Sequence, residues 1–304
     1  MPDPLSQVIS LLRPRTVFAK GISGAGRWAV RYSEFGQPSF CAVIDGACRL
    51  AVDGHEVIGL QAGDFILLPA TPGFTLSGLE PVQPTFVDPG IAQESVEEVR
   101  HGDRAGEPDV RLLGGYFMFD SPDAGLLVSL LPPVVHLRDA DRLAILVRLV
   151  REEATEQQPG RDLILARLVE ILLIEALRSA QSDRAPAGML RGLADPRLAI
   201  ALRHIHGDPA RPWTMTDLAT RSALSRSAFF DRFTRVIGMT PMGYLMAWRM
   251  ALAKDLLRDC VGLAEVAERV GYSSQSTFST AFARHVGQSP GRYARSQRFA
   301  LPPN

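Results

Sequence analysis

Cysteine is scarce in this chain: 3 residues in 304, at Cys41, Cys48 and Cys260. An odd set without ligand spacing argues against a disulfide framework or a thiolate metal centre. It predicts buried free thiols in a reducing compartment. Histidine is also sparse, at 6 residues, and no two stand at metal-ligand spacing. No run of 18 apolar residues occurs, so no transmembrane helix is expected. The opening MPDPLSQVISLLRPR lacks the charged start and long apolar stretch of a secretion signal. These absences predict a cytoplasmic protein, and the length predicts two domains with a helical connector.

Net charge is also missing, at zero overall, but it is unevenly spread. Asp195–Asn304 holds 15 Lys/Arg against 8 Asp/Glu, and the remainder holds 18 against 25. A basic C-terminal module on an acidic N-terminal one fits a nucleic-acid reader with a separate control domain. A solvated basic surface would give the same balance.

Between Arg27 and Leu79 the pattern is that of strands. GRWAVRYSEF, SFCAVIDGACRLAV and HEVIGLQAGDFILLP mix β-branched and aromatic residues. Turn signals stand at Asp45-Gly46, Asp53-Gly54 and Ala62-Gly63-Asp64, and Asp53-Gly54 is a strong hairpin signal. A small β-barrel or sandwich is expected. Glu94–Val110 is polar and ambiguous, RLLGGYFMF (Arg111–Phe119) reads as a more buried strand, and Pro132-Pro133 closes the segment.

From Asp139 the apolar period changes to 3.6. Leu143, Leu146, Val147 and Val150 form one stripe, and Leu165, Leu168, Leu172 and Ile174–Leu177 another. The second helix is apolar enough to suggest packing against the same helix of a second chain, the alternative being burial within its own subunit. Gln181–Gly188 has linker composition.

The last third contains a repeat. LATRSALSRSAFFDRFTRVIGMTP (Leu218–Pro241) is echoed by VAERVGYSSQSTFSTAFARHVGQSP (Val266–Pro290). Ala219, Ser225, Phe229, Phe233, Gly238 and Pro241 match Ala267, Ser274, Phe278, Phe282, Gly287 and Pro290. The offset grows by one residue within the turn. Each copy reads as a helix-turn-helix, with Ser225 or Ser274 capping the second helix. Phe229, Phe233, Val236 and Ile237 form an inward stripe, which leaves Ser227, Asp231, Thr234 and Arg235 outward. In the second copy Ser276, Thr280, Ala283 and Arg284 are outward. Arg226 and Gln275 stand at the helix entrances, where Arg suits guanine and Gln suits adenine through paired hydrogen bonds. Arg235 and Arg284 are placed for phosphates. Pro241–Asp259 reads as one long helix, a spacer able to seat two recognition helices in adjacent major grooves.

These residues resemble the DNA-binding module of the AraC/XylS family of transcription regulators over Asp195–Gln297. AEVAERVGYSSQSTFSTAFARHVGQSPGRYAR carries the more specific match. The resemblance implies a seven-helix fold of two subdomains and control of promoters. It places base-facing positions at Arg226, Ser227, Phe230 and Asp231, and at Gln275, Ser276, Ser279 and Thr280. Thr277, Arg235 and Arg284 complete the expected DNA contacts. Asp231 departs from the basic or amide residue common in relatives, so it is expected to accept from a cytosine amino group or to pair with Arg235. Phe230 is bulky for its place and either meets a thymine methyl or packs inward.

GLQAGDFILLPATPGFTL (Gly59–Leu76) resembles the second conserved cupin motif. Phe40 and Phe74 stand where metal-binding histidines are expected. His55 falls in a predicted turn and His101 in a polar loop. No metal, no cofactor and no catalytic residue is therefore expected. Trp28, Tyr32, Phe40 and Phe65 are the candidates to line an apolar effector pocket, with core packing as the plainer role.

The expected fold is α+β: a cupin-like β-barrel over 1–136, a helical dimerisation or linker region over 137–188, and an all-α domain with two helix-turn-helix motifs over 189–304. The expected function is a DNA-binding transcription regulator answering to a small-molecule effector, not an enzyme. The expected partners are double-stranded promoter DNA, a second copy of the chain, an effector and RNA polymerase, with no membrane. The alternatives are a metal-dependent cupin enzyme fused to a DNA-binding module, or a regulator whose N-terminal domain only dimerises.

Overall fold

A computed structural model describes residues 3–80, 82–87, 98–119, 121, 128, 131–138, 141–155, 158–180 and 187–299. The chain forms two compact units. One comprises Pro14–Phe119 and Pro132–Ala180; the other gathers Met1–Arg13, Asp120–Leu131 and Gln181–Asn304. Most of the expected Gln181–Gly188 linker lies outside the described residues.

The first unit is a curled sheet with two covering helices. Its strands are β1 (Pro14–Ala25), β2 (Ala29–Tyr32), β3 (Ser39–Val52), β4 (Ile58–Gln61), β5 (Phe65–Leu68), β6 (Phe74–Ser77), β7 (Thr85–Val87), β8 (Glu98–Gly102), β9 (Val110–Phe119) and β10 (Val135–Leu137). The order β7-β2-β6-β3-β9-β1-β8 runs through β3. The first half of β3 pairs with β5 and β9, and the second half with β4 and β6.

What lets one strand serve both sets is a register shift between Val43 and Asp45. Asp45-Gly46 thus lies inside a continuous strand, paired with Arg111 and Val110 directly after a bulge at Ile44, rather than in the turn its composition suggests. Gly46 has φ 76, and a Cβ there would collide with the carbonyl of Asp109, so glycine is required. The Asp53-Gly54 hairpin forms as expected, with Leu50 opposite Ile58 across it.

Alternating side chains of these strands, among them Ile22, Val30, Leu50, Ile66, Leu76 and Leu112, fill the interior. The helices α2 (Asp141–Thr155) and α3 (Arg161–Ser179) pack on each other and on β1. Leu143, Val147, Val150, Leu165, Leu172 and Leu177 are buried, as the 3.6-residue period implies.

The second unit is helical. It contains α1 (Pro4–Leu12), α4 (Met189–Ala194), α5 (Pro196–Gly207), α6 (Met215–Arg221), α7 (Arg226–Ile237), α8 (Pro241–Arg258), α9 (Leu263–Arg269), α10 (Gln275–Val286) and α11 (Pro290–Phe299). The helix at Pro4–Leu12 is not among the elements expected from the sequence. Asp3 caps it, with its carboxylate accepting from the Ser6 amide, and Pro4 opens it. Leu5, Val8, Ile9 and Leu12 are buried against α5 and α8. Arg13 follows and lies 2.9 Å from Asp255 and 2.8 Å from Asp259.

His206 of α5 is buried at the centre of this packing. Its Nδ1–H donates to Gln7 Oε1 at 3.1 Å, and its Nε2 accepts from the Tyr244 hydroxyl at 2.9 Å. A neutral ring satisfies both partners; a second ring proton would face the Tyr244 oxygen. Burial pushes the His206 pKa down to about 3, and the Asp3 carboxylate offsets only part of that.

The unfolded chain therefore takes up this proton at a higher pH than the folded one. Stability from this site is full above the ordinary value of 6.5 and is lost as pH falls toward 3, at about 1.4 kcal/mol per pH unit. His206→Gln should flatten the acid slope of urea-unfolding stability between about pH 6.5 and 4.5. An unaltered slope in that variant would contradict this assignment.

Candidate nucleic-acid interface

The first helix-turn-helix is built by local chemistry. A reciprocal capping box opens α6: Thr214 Oγ1 accepts from the Asp217 amide, and Asp217 Oδ2 accepts from the Thr214 amide, both at 3.1 Å. After the turn, Ser225 Oγ accepts from the Ala228 amide at 3.2 Å and starts α7. Gly238, at φ 85, ends it. Phe229, Phe233, Val236 and Ile237 are buried. The Phe229 and Phe233 rings lie 5.6 Å apart, and Tyr244 meets Phe233 edge-on.

The outward face of α7 carries Arg226, Ser227, Phe230, Asp231 and Arg235, all exposed. Phe230 does not pack inward. No ion pair joins Asp231 to Arg235 among the described residues, so the carboxylate is presented on that face. Arg232 serves the fold instead. Its Nε lies 2.6 Å from Asp195, which also caps α5 through the Arg197 and Leu198 amides. Burial raises the Asp195 pKa, but these three donors outweigh it and hold the carboxyl below its ordinary value.

The second copy repeats the plan. Ser274 Oγ accepts from the Thr277 amide at 3.1 Å, and Gly287, at φ 81, ends α10. Phe278 and Phe282 are buried with ring centroids 5.5 Å apart. Gln275, Ser276, Thr277, Thr280 and Arg284 are exposed, and Ser279 is half-buried. Two of the hydroxyls are engaged within the helix: Thr277 Oγ1 lies 2.9 Å from Ser274 Oγ, and Thr280 donates to the Ser276 carbonyl at 3.1 Å.

The spacer α8 is shared. Tyr244 and Trp248 pack in the first subdomain, with the His206 ring 4.0 Å from Trp248. Met250, Ala253 and Leu257 belong to the core of the second subdomain with Phe278, Phe282 and Tyr293. Its 18 residues span about 27 Å. A single rigid rod buried at both ends holds the two outward faces in one body.

A family profile described as Cupin matches residues 3–181, and one described as Helix-turn-helix domain matches residues 218–296. A protein of Streptomyces lividans, named as an AraC-like transcription regulator, is 39% identical over 96% of this chain and 98% of its own. The chain belongs to the AraC-like transcription regulators. A second such protein, from Streptomyces antibioticus, is 38% identical over 96% of this chain and 98% of its own. Among solved structures, the DNA-binding domain of AdpA in complex with a target DNA is similar at 28% identity. It covers 36% of this chain and 99% of that one, with a TM-score of 0.34.

The barrel of this AraC-like regulator holds a cavity of about 100 Å³. Tyr32, Phe35, Phe40, Phe74 and Tyr116 supply its aromatic walls. Tyr32 stacks on Phe74 at 4.8 Å, and Phe35 meets Tyr116 edge-on at 5.0 Å. Of the four aromatics expected from sequence, Tyr32 and Phe40 line the cavity and two do not. Phe65 lies behind Phe40, with ring centroids 6.1 Å apart. Trp28 packs against Gly24 and Gly78 and stacks on His101 at 5.6 Å.

Phe40 and Phe74, which replace the expected histidines, are both among the residues that line the cavity. Lys20 also lines it, and burial lowers its pKa. Burial drives the Tyr32 hydroxyl up to about 12 and raises the Cys41 thiol as well.

His101 is not in a loop but in β8, beneath Trp28. Among the described residues, no group of three His, Cys, Asp or Glu side chains could hold a metal, and no helix is long and apolar enough to cross a membrane. Of the three thiols, Cys48 is buried, Cys41 half-buried and Cys260 exposed, which corrects the expectation of three buried thiols. Cys260 sits at φ 63 just beyond α8, where the chain turns toward α9.

Proposed function

We propose that this regulator reads a bipartite duplex site, with α7 and α10 entering successive major grooves on one side of the DNA. The observation that carries the proposal is the matched pair of capped helices. Each buries a Phe-x-x-x-Phe stripe and exposes its entrance residues, and both are anchored on α8. Arg226 and Gln275 read bases, and Arg235 and Arg284 meet phosphates. Selection of duplexes from a random pool by the full-length protein tests this. A consensus of two parts about one helical turn apart is expected. A pool that stays unenriched would overturn it.

We further propose that the barrel cavity takes a small, largely apolar effector, because its walls are aromatic and aliphatic. Such a ligand would act by favouring one state of the regulator over another. A compound that enters the cavity should raise the melting temperature of the wild type but not of Phe40→Trp. An equal shift in both would place it elsewhere.

A second copy of the chain is the proposed partner of α2 and α3. Ile145, Leu149, Leu163, Ile164 and Ile171 remain exposed there, with Leu163 at 66%. Ile171→Glu should convert a dimer to a monomer in sedimentation; a wild type that is already monomeric would refute the interface. A cytoplasmic location belongs to the same proposal, since promoter DNA is the proposed target.

A further inference from the structure

The two readers are not chemically equal. On α7, consecutive phenylalanines have opposite fates: Phe229 is fully buried and Phe230 is 41% exposed. Beside it, at the second position of α8, Met242 is 39% exposed. Phe230 and Met242 line one concave surface together with Arg226, Ser227 and Asp231. At the 49-residue offset of the repeat, the positions of Phe230 and Met242 hold Ser279 and Gly291. The first reader thus places an aromatic ring and a thioether where the second has a hydroxyl and no side chain.

An apolar pair at the rim of a groove-reading helix has one apolar group to meet there. On the major-groove edges of the four base pairs, every feature is a polar donor or acceptor except the thymine 5-methyl. We propose that Phe230 and Met242 form a thymine-methyl reader specific to the first helix-turn-helix. The flanking groups fit the same occupant. Arg226 lies one turn ahead of Phe230 toward the helix entrance, positioned for guanine. Asp231, next to Phe230, is an acceptor for an exocyclic amino group. The second reader lacks both side chains and presents mainly hydrogen-bonding groups. This inference rests on the reading of α7 as a groove-facing helix.

The test uses the full-length protein and the duplex it enriches from a random pool, with thymines replaced one at a time by deoxyuridine. That exchange removes a methyl and leaves base pairing intact. The wild type should lose roughly fourfold in affinity per methyl at one or two positions of a single half-site, the loss expected for one buried carbon. The double variant Phe230→Ser/Met242→Gly copies the second reader into the first. It should bind the thymine and uracil duplexes within about twofold of each other while retaining the rest of the consensus.

Both changes are at exposed positions, and the melting temperature of the variant checks its fold. Equal binding of the wild type to thymine and uracil at every position would overturn the methyl reader and leave the bipartite reading standing. Discrimination that survives in the double variant would overturn it too. Failure of the pool to enrich any sequence would remove the underlying reading as well.

Discussion

Leu12→Ala should cost about 2–5 kcal/mol in the helical unit, although residue 12 lies far from the helix-turn-helix in sequence. Leu12 is fully buried, in one face with Leu5, Val8 and Ile9. That face packs on α5 and α8, the same helices that support the first reader. The nine-residue α1 is too short to persist alone, so its stability comes from this packing, and the unit loses the same contacts when α1 leaves.

Deleting residues 3–12 should do more. It would also strand His206 without the Gln7 acceptor and expose the apolar floor. Arg13 adds to the effect: burial raises the Asp255 pKa, and the guanidinium pulls part of that back. Urea unfolding followed at the Trp213 and Trp248 indoles of the full chain, with Trp28 replaced by Phe, reads the helical unit by itself. A Leu12→Ala cost below about 0.5 kcal/mol would show that α1 is an ornament rather than part of the core.

Gln275→Ala should relax preference at one base pair by about 1–3 kcal/mol while leaving affinity for other positions intact. Gln275 is the first residue of α10, directly after the Ser274 cap, and it is exposed. Its amide can donate to adenine N7 and accept from adenine N6 at once. Its hydroxyl-bearing neighbours lack the paired donor and acceptor of an amide, and the Thr277 and Thr280 hydroxyls are already engaged with Ser274 and the Ser276 carbonyl. The enriched duplex and its single-base variants, titrated at fixed salt, give the preference at each position. Loss spread evenly over all of them would mean that Gln275 contributes only to backbone positioning.

The features legible in the sequence are those made by near neighbours. Ser225 and Ser274 cap the helices that the sequence assigns to them, and Thr214 and Thr240 cap theirs in the same way, because a cap and its partner lie three residues apart. The phenylalanine stripes were readable for the same reason.

Features that depend on distant partners were not legible. Asp3-Pro4 carries the cap-then-proline signal seen again at Asp195-Pro196 and Thr240-Pro241, yet α1 is not legible locally because its partners lie some two hundred residues onward. His101 has polar neighbours in sequence. It becomes half-buried only when β8 pairs in parallel with β1 and brings it under Trp28. Being aromatic and in a strand does not tell which face of the strand a residue takes, or at what depth it packs. Trp28 therefore fills another part of the barrel interior, and Phe65 lies on the face of β5 opposite Ile66 and Leu68, which line the cavity. Asp45-Gly46 shows a related ambiguity: a glycine at positive φ serves a strand beside a bulge as well as a turn.

Methylation-interference footprinting of the full-length protein on its enriched duplex is the most direct measurement. Two patches of major-groove contact, centred about 10 base pairs apart on one face of the helix, are the predicted result. Arg226→Ala should erase one patch and Gln275→Ala should weaken the other. A single patch, or two on opposite faces of the duplex, would contradict the account.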